Sequence, residues 1–273
     1  MASSRILKQM TISFGYFVFF GVVFFGVYYL FIRVPPTCTD GKQNQDEMGI
    51  DCGGICANQC ELPLNAKDIV TREAAFVPAG QGSYDVLARI YNPNDIAGAS
   101  QFSYKLALRD SAGNMLVEKS GTSFILPQET KYLFEFHLST QTLPAKATLE
   151  ISEVSWERFR GYTERPRVMV VKQSYERIQS GPGYGAATGL VVNESQYDFR
   201  SLLVKVVLRD VSGHPIAINS TEMLTMPSGG QRDFRLIWPT AFPGEVKNVE
   251  MFVDADIYHS ENFIRQSSST TPF

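Results

Sequence analysis

The sequence predicts a mainly β protein carried on one N-terminal transmembrane helix, with a small disulfide-rich module and two tandem antiparallel β-sandwiches. Three observations predict this. The run from Thr11 to Ile32 contains no charged residue. All four cysteines lie between Cys38 and Cys60, and none follows. Beyond them, short runs of alternating apolar and polar residues, divided by turn signals, occur in two series that align with each other.

The composition narrows the functional classes. The formal charge is −3 and the pI near 5.7, so no basic face is on offer for nucleic acid. The hydrophobic share of 44% is ordinary for a globular chain, but part of it is concentrated in the first segment.

Thr11–Ile32 would make a helix about 33 Å long, against a bilayer core of ~30 Å. A signal peptide has a shorter apolar run and a small-residue cleavage site. Here the run ends in Phe31-Ile32-Arg33-Val34-Pro35-Pro36, so an uncleaved anchor is expected. Arg5 and Lys8 precede the run and only Arg33 follows closely. The positive-inside rule then puts residues 1–10 in the cytoplasm and the bulk outside, a single-pass plasma-membrane protein. Tyr28 and Tyr29 fall where an outer aromatic belt would lie. Gly15, Gly21 and Gly26 lack the spacing of a GxxxG dimer face.

Residues 33–63 form the membrane-proximal module, with cysteines spaced C-x13-C-x3-C-x3-C. An even cysteine count in a short, polar, Gly-rich extracytoplasmic segment reads as disulfides among Cys38, Cys52, Cys56 and Cys60. Three pairings are open. Zinc is the rival, but its sites usually present two paired knuckles, and Cys38 stands alone. Asp40, Asn44, Glu47 and Asp51, with Gly41 and Gly49, are oxygen ligands of the kind calcium uses, though not in EF-hand order. No other cofactor is indicated. The string C-x-D-G-x-x-N-x-x-E-x-x-x-D-C-G-G-x-C-x-x-x-C resembles a motif that follows the membrane helix in uncharacterised single-pass envelope proteins of candidate-phylum bacteria. The resemblance implies an exported module and no reaction.

The rest reads as a repeat, residues 64–160 and 161–265. Phe102-Ser-Tyr-Lys-Leu-Ala-Leu-Arg-Asp110-Ser-Ala-Gly113 aligns with Leu202-Leu-Val-Lys-Val-Val-Leu-Arg-Asp210-Val-Ser-Gly213 without a gap. The same spacing pairs Pro127 with Pro227, Phe134 with Phe234 and Leu149-Glu150-Ile151 with Val249-Glu250-Met251, while Asn92 meets Asn193. In the first copy, strands are expected at Val86–Tyr91, Phe102–Leu108, Met115–Val117, Thr122–Leu126, Tyr132–Leu138 and Thr148–Val154. Turns fall at Asn92-Pro93-Asn94-Asp95 and Asp110-Ser-Ala-Gly113. Period-two runs every 8–12 residues predict antiparallel sheets with one buried face. About seven strands per copy suggest an immunoglobulin-like sandwich without its cysteine and tryptophan hallmarks. The Asn-Pro-Asn turn and D-x-x-G turn of the first copy resemble FxLYD-type domains of bacterial envelope proteins and the water-stress domain of late-embryogenesis-abundant proteins. That resemblance implies immunoglobulin-like sandwiches without enzymatic function.

Arg158–Arg167 reads as a solvated interdomain hinge rather than a site for an anionic polymer. The Gly-rich Ser180–Gly189 lacks the Lys-Ser/Thr of a phosphate loop and reads as a turn entering a strand. Asn193-Glu-Ser195 and Asn219-Ser-Thr221 match the glycosylation triplet, which acts only in a eukaryotic secretory route. Residues 266–273 read as a disordered Ser/Thr tail. The histidines His137, His214 and His259 form no motif with a nucleophile, so no catalytic residue is assigned. The expected role is non-enzymatic: protein binding or adhesion at the cell envelope. The partners would be the lipid bilayer and another envelope protein or a second copy, with no small-molecule substrate. A structural subunit or spacer of a larger complex is the alternative, and a hydrolase with an unrecognised site the third reading.

Overall fold

The computed structural model describes residues 2–32, 37–44, 46–58, 60, 64–159, 166–259 and 263–265. The hinge residues 160–165 and the tail 266–273 lie outside the described residues. The chain divides into two compact units, Met1–Pro63 and Leu64–Phe273.

The first unit begins with α1 (Ala2–Val27), which runs on into a π-helical turn at Tyr28–Ile32. Within it, Gln9–Leu30 is long and apolar enough to cross a membrane. Phe14, Val22, Phe19, Phe20 and Phe17 are exposed in turn around its circumference, so no polar face adapts it to water. The cysteine module follows. Cys38 pairs with Cys56 and Cys52 with Cys60, with Cα separations of 5.7 and 4.8 Å, so the interlaced pairing is the one adopted. Met48, Ile50 and Ile55 are exposed. With so little apolar burial the two bridges carry the fold, at roughly 2–3 kcal/mol each.

The second unit is built from β1 (Val70–Gly80), β2 (Ser83–Tyr91), β3 (Ala97–Arg109), β4 (Met115–Ile125), β5 (Thr130–Ser139) and β6 (Lys146–Arg158). It continues with β7 (Val168–Arg177), β8 (Gly185–Asn193), β9 (Tyr197–Arg209), β10 (Pro215–Met226), β11 (Gln231–Trp238), β12 (Asn248–Asp254) and β13 (Phe263–Arg265). The first sandwich packs sheet β1-β2-β5 on sheet β4-β3-β6. The second packs sheet β7-β8-β11 on sheet β10-β9-β12, with β13 also on β9. All pairings are antiparallel. Each sandwich has six main strands rather than about seven; in the first, Met115–Val117 and Thr122–Leu126 merge into the single strand β4, while β1 lies outside the runs expected from alternation.

Period two fills each core. Val86, Ala88 and Ile90 of β2 face Phe102, Leu106 and Leu108 of β3 in the first sandwich. Val204, Val206 and Leu208 of β9 face Phe234, Leu236 and Trp238 of β11 in the second. The predicted turns form as their chemistry requires. Asp110 Oδ1 accepts from the amides of Ala112 and Asn114, and Asp210 Oδ1 from those of Ser212 and His214. Gly113 and Gly213 supply the positive φ, +87° and +80°. Asn92 and Asn193 are wholly buried, and their side-chain amides donate to the backbone carbonyls of Ala97 and Leu126 in the first sandwich and of Tyr197 and Pro227 in the second. The asparagine is therefore the structural element of these turns, and Pro93 can be replaced by Glu194.

Two expectations are corrected. The gapless alignment holds through β3 and β9 but slips downstream. Leu133, not Phe134, occupies the core position that Phe234 fills in the second sandwich. Thr148, one place after the partner of Leu108, corresponds to Glu250, one place after the partner of Leu208. The second correction concerns burial. The sheets were expected to bury one face, yet sheets β1-β2-β5 and β10-β9-β12 bury both. Their outer faces pack on each other through Val77, Leu87 and Tyr132 on one side and Val207 and Ile218 on the other. β1 lies on β10 and β5 on β12. The unit is thus four sheets deep. Phe159, at the start of the expected hinge, donates its amide to Ile96 O and packs against the second core.

Candidate functional site at the seam

The seam between the sandwiches gathers most of the buried charge. Arg209, at the end of β9, forks onto Glu73 of β1, with Nη1–Oε1 2.9 Å and Nη2–Oε2 2.7 Å. Its Nε donates to Glu250 Oε1 at 2.9 Å and its Nη2 to the Tyr132 hydroxyl at 2.7 Å. Tyr132 in turn donates to Glu250 Oε2 at 2.8 Å. Its ring lies 4.7 Å from that of Phe252. One guanidinium therefore ties β1, β5, β9 and β12 together. Bidentate pairing of this kind is the strong form of a charge-assisted bond. Burial, followed by the hydrogen bond to Glu250, pushes the Tyr132 phenol up to about 12.

A second cluster borders a cleft of about 470 Å³ along the seam. Lys205 of β9 donates to Tyr132 O at 2.5 Å and to Asp254 Oδ2 at 2.6 Å. Lys131 of β5 reaches the same Asp254 oxygen at 3.4 Å, and its ammonium stands 3.3 Å from the centre of the Phe124 ring. Lys131 is almost wholly buried, and its Nζ makes no hydrogen bond. Burial raises the Asp254 carboxyl, but the two ammoniums outweigh it and the net shift is downward. Burial likewise lowers Lys205, and the neighbouring Lys131 adds to this against the pull of Asp254. Beyond β12 the chain leaves the sheet before returning as β13. On this excursion Asp256 holds His259, Oδ2–Nδ1 2.6 Å, and takes the Tyr258 amide at 2.9 Å. Tyr258 rests edge-on against Phe124 and covers Gly98 of the first sandwich. Another cleft of about 500 Å³ is lined by Pro78, Asp85, His137, Asn219, Trp238 and Phe242. There Asp85 accepts the His137 amide at 2.9 Å, and burial pushes its carboxyl up.

The residues singled out in the module fall elsewhere. Asp40 accepts from Asn44 Nδ2 at 2.8 Å and from Lys42 N at 3.0 Å, and the Asn44 contact leads in lowering its carboxyl. Asp51 accepts Gly41 N at 2.9 Å, and Glu47 accepts Asn44 N at 3.0 Å. Asp40, Asn44 and Glu47 are thus linked in a chain of turns, while Asp51 closes a separate one. Among the described residues the acidic and sulfur ligand atoms converge only at Cys38, Glu47 and Cys56, where both sulfurs belong to a disulfide.

Of the three histidines, His259 lies at the first cleft and His137 at the second, while His214 is exposed beside Asp210 at 3.7 Å. Sequence reasoning missed Lys131, Lys205, Arg209, Asp254 and Asp256. One signal was present. Outward positions Ser103 and Ala107 of the first copy become Leu203 and Val207 in the second, a change that fits a covered face.

No family model matches the chain, and no curated protein does. Among solved structures, the chain aligns with the crystal structure of red sea bream transglutaminase at 12% identity and a TM-score of 0.20, over 68% of this chain. It spans 29% of that protein's length.

Proposed function

We propose that the chain is a non-enzymatic, single-pass protein of the cell envelope. The short N-terminus is cytoplasmic, and the paired sandwiches bind another envelope protein outside the membrane. The observation that carries this reading is the locked seam. Two sandwiches joined face to face present fixed clefts and loops, as a binding module requires. The sheet edges are poorly suited to strand addition. His137 on β5, Glu153 on β6, Lys172 on β7 and Thr225 on β10 have positive φ, and register breaks accompany the first three. Bulged edges resist pairing with another strand, so loops and clefts are the contact surface. The shared strand order of the two sandwiches supports a tandem duplication. The resemblance to envelope domains supports the compartment, and charge around the apolar helix supports the orientation.

The alternative, a structural spacer, draws on the same rigidity. Crosslinking on intact cells followed by purification separates the two. One partner crosslinked through seam loops supports binding, whereas crosslinks confined to the helix and the module support a spacer. Protease added to intact cells should remove the chain beyond Ile32. Protection of 64–265 would overturn the orientation.

A further inference from the structure

We infer that Lys205 and Asp254 condense in the folded protein to a side-chain amide, with Lys131 as the acid that carries the proton. The bond is a modification the chain makes on itself, once and without turnover, and it is independent of the binding reading above. Strand register sets up the pair. Lys205 of β9 lies opposite Phe252 of β12, and Asp254 follows two places later on the same face. Lys205 Nζ is 2.6 Å from Asp254 Oδ2 and is steadied by Tyr132 O at 2.5 Å. Lys131 Nζ stands 3.4 Å from the same oxygen, so two ammoniums converge on one atom. No more than 11% of any of the three side chains is exposed. An ion pair held this far from water is costly, and an amide removes both of its charges. Fixed neighbours also react as though at about 10⁵ M or more.

The protons balance within the trio. Lys205 passes one to Oδ2, leaving a neutral amine beside a carboxylic acid. Burial already lowers Lys205 toward the amine. Burial also raises Asp254, but the two ammoniums bring it down, so the neutral pair is a minor form and condensation is slower than folding. The amine nitrogen attacks Asp254 Cγ, and Oδ2 leaves as water on receiving a proton from Lys131. Lys131 recovers a proton from the attacking nitrogen. It therefore begins and ends as the ammonium that stands 3.3 Å from the centre of the Phe124 ring. One N–H remains on the new amide to donate to Tyr132 O. The water departs into the cleft of about 470 Å³ that all three residues line.

The test is the intact mass of the full chain, incubated at length in native buffer with uncharged detergent, then denatured and reduced. It should fall short of the sequence mass by one water. Tandem mass spectrometry should find the Lys205 peptide joined to the Asp254 peptide, with no tryptic cut after Lys205. Lys131→Arg keeps the charge but is a far weaker acid, and it should leave Lys205 and Asp254 unlinked. Lys131→Met, which removes acid and charge together, is the second variant and should do the same. Lys105→Met, which removes an exposed lysine, should form the bond in full. A wild-type mass with no water missing, a water lost as a succinimide at Asp40-Gly41, or a link from Lys131 in place of Lys205 would overturn the proposal. So would undiminished linkage in either Lys131 variant.

Discussion

Replacing Arg209 with methionine is the most searching perturbation of this fold. The side chain is 7% exposed and bonds to Glu73, Glu250 and the Tyr132 hydroxyl. Methionine fills much of the same volume but leaves two carboxylates facing each other across the seam, with side chains only 20% and 23% exposed. Breaking a buried pair from one side costs about 3–5 kcal/mol, and the partial solvation of both carboxylates sets the expectation at about 3 kcal/mol. For a unit of this size that is roughly 6–10 °C in Tm. Arg109 occupies the matching place on β3 and is the internal control. It contacts Thr148 Oγ1 at 3.3 Å and Gly113 O at 3.1 Å, so Arg109→Met should cost under about 1 kcal/mol. Denaturant melts of Arg209→Met, Glu73→Gln and the double variant should give a coupling of about 2 kcal/mol, because the partners belong to different sandwiches. Additivity within ~0.5 kcal/mol, or equal losses for Arg109 and Arg209, would refute the argument that this guanidinium joins the two halves.

Other expectations follow from the same geometry. The Tyr132 phenol is raised above its usual value of 10.0 to about 12, so the folded state holds its proton more tightly than the unfolded one. That stability is intact below pH ~10 and fades as pH rises toward 12, by roughly 2–3 kcal/mol; Tyr132→Phe should lessen the alkaline slope in denaturant melts by that share, leaving the part due to Tyr104 and Tyr175, whose phenols burial also raises. At Gly98 an added methyl would overlap the Tyr258 hydroxyl. Gly98→Ala should therefore destabilise by about 1–3 kcal/mol, and Tyr258→Ala should suppress that loss in a double-variant melt. Non-reducing tandem mass spectrometry should find Cys38–Cys56 and Cys52–Cys60, and a Cys38–Cys52 link would contradict the interlaced module. Chelator should leave the melting of the wild-type protein unchanged, since the carboxylates of Asp40, Glu47 and Asp51 already accept backbone amides; a lowered Tm would favour a calcium site.

The strands were readable because alternation reports which residues share a face, and the turns because aspartate and glycine leave few backbone choices. The disulfide module was readable as a class, but not in its pairing, since spacing does not say how a short loop folds back. Alternation is silent about what covers a face. Lys105 and Lys205 stand in the same motif, yet one is exposed and the other lies under Tyr132. Only the neighbouring sheet distinguishes them. The Lys131 cleft was illegible for a related reason, since Asp254 and Lys131 are brought together by packing between sandwiches that the sequence presented as separate. His259 was visible as a lone histidine, but its partner Asp256 sits in a departure from the sheet that no alternation marks.

The doubly buried middle sheets have a consequence for how the chain is made. Synthesis delivers β1 to β6 first. Until β9, β10 and β12 arrive, the outer face of β1-β2-β5 leaves Val77, Leu87, Tyr132, Phe134 and Phe136 uncovered. Glu73 waits as well, without the guanidinium it will hold. The first sandwich therefore forms as an adhesive intermediate, and its safest partner is the sister segment that follows it in the chain. The two halves therefore fold most safely as one event, and the interval between them is the period of greatest exposure to aggregation.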